Sequence, residues 1–126
     1  EPLRKIEKRE IEAYDGINIE EGIRRSNGNE ALYLEVLKEF SEAYGESHNV
    51  FAKLVKEHRY EQIKMLCIDM RGLSGAIAAE DMHTLMIEIL QLFLYKNYEL
   101  IANYQEKYSF EIQTLKRSIS KYIENV

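Results

Sequence analysis

Residues 60–79, YEQIKMLCIDMRGLSGAIAA, carry Ile63, Leu66, Cys67, Met70, Ser74 and Ile77 at helical spacing, the pattern that lines one face of an α-helix. At about 100° per residue, Ile68 falls roughly 150° from the centre of that stripe. An isoleucine therefore stands on the face predicted to meet solvent. Lys64 lies one turn before it, and Arg71, Gly72 and Gly75 lie in the turns after it. Glycine inside a helix costs about 1 kcal/mol relative to alanine, a cost usually offset where something approaches the backbone closely. Both glycines face away from the apolar stripe, which favours a partner from outside the domain. The other reading has them admitting a neighbouring helix, with Ile68 tucked under a terminal segment such as residues 1–14.

The same periodicity extends in both directions. Leu3, Ile6, Ile11 and Tyr14 predict a short amphipathic helix or linker that Gly16 ends. Asn18 and Glu21 are spaced as an N-cap and its reciprocal partner, opening a short helix through Ile19 and Ile23. The run Ser26-Asn27-Gly28-Asn29 closes that helix and caps the next, which carries Tyr33, Leu37, Phe40 and Tyr44 up to a stop at Gly45. Val50, Phe51, Leu54 and Val55 mark another short helix ending near His58. Met82, Leu85, Met86, Ile89 and Phe93 predict one more. After Asn97, the positions Ile101, Tyr104, Tyr108, Ile112, Leu115, Ile119 and Tyr122 sustain one face almost to the C-terminus. Nothing reads as a strand. Amphipathic helices with short connections bury their stripes most simply as an antiparallel four-helix bundle. The predicted organisation is a helical linker over residues 1–15 and an all-α bundle domain over 16–126, with additional short N-terminal helices.

Composition narrows the function classes. The 126 residues suit one domain, and the net charge of −5 disfavours a nucleic-acid partner. The most apolar stretch, Leu85 to Leu94, includes Glu88 and Gln91 and is too short to span a bilayer, so no membrane contact is expected. A lone cysteine, Cys67, falls on an apolar stripe and points to a reduced, cytoplasmic setting. The chain opens Glu-Pro without methionine, which predicts a domain cut from a longer protein, such as the cytosolic part of a sensor.

The segment Cys67 through Ala79, CIDMRGLSGAIAA, resembles the signature of the histidine phosphotransfer (HPt) family of two-component phosphorelays. There, alanine, histidine, a small residue, leucine, lysine and glycine precede a glycine-x-isoleucine-glycine-alanine run. Residues 16–40, GINIEEGIRRSNGNEALYLEVLKEF, are similar to the family's opening helices, and the likeness covers residues 16 to about 95. It implies a four-helix bundle whose exposed histidine takes a phosphoryl group from an aspartate of a receiver domain and passes it on. Ile68 occupies the histidine position and has no lone pair to attack phosphorus. Arg71 stands where the family has lysine and keeps the charge. Asp69 adds a negative charge beside the site, and Ala78 replaces a glycine. The resemblance thus implies a member that cannot accept phosphate. It would bind a response-regulator receiver domain or a histidine kinase through Lys64, Ile68, Arg71, Gly72 and Gly75, with no enzymatic activity and no cofactor.

Two other readings stay open. A structural or dimerising bundle would pair chains through Ile68 and the C-terminal stripe. An active phosphotransfer protein would use His83, whose His83-Thr84-Leu85 matches the family's tripeptide but lies 15 residues late and lacks the following lysine and glycines. His48 and His58 flank a short helix, with no orienting acid at helical spacing. The three histidines have no metal-ligand spacing among themselves and no second cysteine, so no metal site is expected. The nine tyrosines are expected to pack their rings in the core with hydroxyls at its edge.

Overall fold

A computed structural model describes residues 14–126, and the linker helix expected upstream lies almost wholly outside them. The order along the chain is α1 (Ile19–Arg25), α2 (Glu30–Tyr44), α3 (Ser47–Lys56), α4 (Tyr60–Ala76), α5 (Glu80–Leu94), a 3₁₀ helix (Tyr98–Tyr104) and α6 (Gln105–Asn125). The fold is all-helical, with no strand among the described residues. No helix there is long and apolar enough to cross a membrane.

Local chemistry sets the boundaries. The side chain of Asn18 accepts from the Glu21 N–H at 3.0 Å, and that of Asn29 accepts from the Leu32 N–H at 3.0 Å, each satisfying a donor left free in the first turn. The reciprocal half of the expected box is absent for a tertiary reason. The Asn18 N–H already donates to the Ala78 carbonyl at 2.9 Å, leaving the Glu21 carboxylate to Arg24 and Arg25. Four helices close alike: Asn27, His58, Ala78 and Lys96 take left-handed φ values of 58°, 56°, 64° and 59°. The residue after each donates back to Ile23, Leu54, Ser74 and Leu92 at 2.8–2.9 Å, the Schellman closure. Gly45 ends α2 differently, with a helical φ of −60°.

Two predicted elements are revised. The helix over 60–79 stops at Ala76, because Ala78 turns left-handed while Ile77 and Ala79 stay buried. The last stripe is broken: Tyr98–Tyr104 is 3₁₀, and the α-helix begins at Gln105.

The stripes meet in one core. Tyr33 and Leu37 of α2, Phe51 of α3, Ile63, Cys67 and Met70 of α4, Met86 and Ile89 of α5, and Tyr108, Ile112 and Tyr122 of α6 are all fully buried. Helix α4 packs along α5, α3 touches both α4 and α6, and α6 also packs on α2 and α5. Buried tyrosine hydroxyls find partners, as burial requires. Tyr33 donates to the Ile77 carbonyl at 2.8 Å, and Tyr108 pairs with the Ser47 hydroxyl at 2.8 Å.

Candidate functional site: a groove between α4 and α5

Because α4 turns Ile63, Cys67 and Met70 inward, its outer face presents Lys64, Ile68, Arg71 and Gly72. Alongside, α5 buries Met82, Met86 and Ile89 and leaves a second apolar row, Ile87, Leu90 and Leu94. Between them runs a groove of about 480 Å³ lined by Lys64, Ile68 and Arg71 from one helix and by residues that include Ile87, Gln91 and Leu94 from the other. Ile68 is 39% exposed and Leu94 73%. The groove is apolar along its length, with a cation from α4 on either side of Ile68. Neither Lys64 nor Arg71 is in an ion pair among the described residues.

The glycines of the predicted face part company. At Gly72 an added β-carbon would meet nothing within 4 Å, so the backbone there is bare. At Gly75 it would meet the His83 ring at 3.3 Å, and the Gly75 carbonyl accepts from Arg25. Beside Gly75, then, the space next to the backbone is taken by an internal contact between α4 and α5.

His83 donates from Nδ1 to the Arg71 carbonyl at 2.9 Å. A carbonyl only accepts, so Nδ1 carries a proton, and in the neutral ring the lone pair is on Nε2. His83 is half-buried over Gly75 and outside the groove lining. His48 lies within the first turn of α3, with its Nδ1 buried and unpartnered among the described residues. The His58 Nδ1 sits 3.1 Å from the Tyr60 hydroxyl. Burial pushes the Cys67 thiol up to about 12, so it stays protonated and unreactive at neutral pH. No group of three or more His, Cys, Asp or Glu among the described residues could hold a metal ion.

The sequence pointed to the α4 half of the groove and missed the α5 half. The available signal was Ile87, Leu90 and Leu94 at intervals of three and four beside the core stripe, a second apolar face that one-sided burial does not explain. Chemically, the groove offers an apolar floor, two cations and one amide, with no histidine, cysteine or hydroxyl side chain in its lining. No protein-family model, curated protein or solved structure matches this chain.

Proposed function

We propose that this chain is an HPt-like signalling module that docks a receiver domain or histidine kinase through the α4/α5 groove and does not accept phosphate. In this reading α2 with α3, α4, α5 and α6 form the family's antiparallel four-helix arrangement. The observation that carries it is the exposure of Ile68 in the groove, flanked by Lys64 and Arg71 and adjoined by the bare backbone of Gly72. A phosphoacceptor at that position would lie open to an incoming aspartyl phosphate. Isoleucine keeps the exposure and lacks the lone pair. Such a module would sequester or tether its partner.

Incubating the chain and its Ile68→His variant with phosphorylated receiver domains tests this. The expected result is label on the variant alone, lost in acid and retained in alkali. Label on the unaltered chain would move the site to His83, a reading supported by the lone pair its hydrogen bond leaves on Nε2. Receivers that bind neither form at high micromolar concentration would end the docking proposal. A self-pairing reading draws support from the exposed Ile68, Ile87 and Leu94. It requires a sedimenting dimer that Ile68→Glu dissociates.

A further inference from the structure

The opposite flank of α5 carries a second groove with the reverse electrostatics. Helices α5 and α6 enclose about 460 Å³ there, with Leu85 and Phe110 in the lining and Asp81, Glu88, Glu106 and Glu111 around them. Phe110 is 64% exposed, a large aromatic surface left in water without a partner. None of the four carboxylates has an ion pair among the described residues. Lys107, the basic side chain of the lining, lies over the Tyr104 ring, 5.1 Å from its centroid. The Glu111 carboxyl is held above its usual range, first by burial and then by Asp81, and against the four carboxylates the lining sets one cation, Lys107.

We infer that the α5/α6 groove docks a basic amphipathic helix of a partner protein, independently of the reading given to the α4/α5 groove. Charge complementarity selects the occupant. A second copy in an isologous pairing would set the same carboxylates against each other, whereas lysines or arginines would neutralise them. The four acids surround an aromatic floor and form no cluster able to hold a metal ion, which fits an extended cationic surface with an apolar centre. Spacing sets the pattern. Asp81 and Glu88 lie two turns apart on α5, roughly 10 Å along the axis at about 1.5 Å per residue. A helix lying along the groove would meet them with cations at i and i+7 and would lay the apolar residues at i+3 and i+4 over Phe110.

The test uses the full chain, ¹⁵N-labelled, and a synthetic helical peptide with lysine at i and i+7 and leucine at i+3 and i+4. A control peptide carries glutamate for lysine. The lysine peptide is expected to bind saturably, to shift the amides of Thr84, Glu88 and Phe110 most, and to weaken as salt rises. Phe110→Ala and Glu88→Lys, both at exposed positions, are each expected to weaken it by about tenfold or more, with melting curves showing the fold intact. Equal binding of both peptides, affinity unchanged in both variants, shifts gathered at Ile68 and Leu94, or no binding at high micromolar concentration would each overturn the assignment. So would a homodimer that Phe110→Ala dissociates, because a second copy would then be the occupant.

Discussion

A methyl group added at Gly22, Gly72 or Gly75 would meet three different surroundings. At Gly72 it meets solvent, so Gly72→Ala should raise stability by about 0.5–1 kcal/mol through the entropy glycine carries in the unfolded chain. At Gly75 it presses on an imidazole tied to the Arg71 carbonyl, and Gly75→Ala should forfeit that gain unless His83→Ala accompanies it. At Gly22 it overlaps the buried Tyr33 ring, and Gly22→Ala should cost about 1–3 kcal/mol as an overpacked contact. Urea titration of the single variants and of the Gly75→Ala, His83→Ala pair checks all three. The helical face of Gly72 and Gly75 was legible because both sit in one long helix whose apolar stripe fixes which side each turns outward. It held no sign of the Gly22 contact, because Tyr33 belongs to another helix and meets Gly22 only once the chain has turned at Asn27 and Gly28.

Helix ends carry their own strain. Lys96 is exposed and holds a left-handed φ of 59°, a conformation that costs a residue with a β-carbon roughly 1 kcal/mol. Lys96→Gly should therefore stabilise the α5 terminus by about 0.5–1 kcal/mol, read as a higher melting temperature. On α6, Glu111 has a raised folded pKa. Its contribution to stability is present at acid pH and is lost as pH rises through that value. Glu111→Gln should accordingly be more stable than the parent at neutral pH, and the difference should shrink on acidification. Thermal melts across pH 3 to 8 would show the convergence. Element type was legible wherever a stripe ran long. The division at Gln105 was not, since Ile101, Tyr104 and Tyr108 recur at three and four, and both 3₁₀ and α-helices keep such residues together. The stop at Ala76 was hidden too, because alanine stands where a glycine at position 78 would have announced a left-handed turn.

Across the whole molecule, α5 separates a groove bearing Lys64 and Arg71 from one bearing four carboxylates. A charge placed in one should leave the other intact. Ile68→Glu should abolish binding of a receiver domain, and leave unchanged the affinity for the lysine peptide, measured by anisotropy. The composition gave a net charge of −5 and could not show how that charge divides, because the division depends on which flank of α5 each neighbouring helix covers. Tyr14 packs edge-on against Tyr122 and accepts from the Asn125 amide at 3.0 Å. The Asp15 carbonyl accepts from Ser118 at 2.7 Å, and Glu30 accepts from Tyr122. Within this domain, the segment before α1 is thus fastened by a helix made much later in the chain. Until α6 has left the exit tunnel, the apolar surface that α2, α3 and α5 turn toward it stays uncovered, and through that interval chaperone capture and aggregation compete with folding.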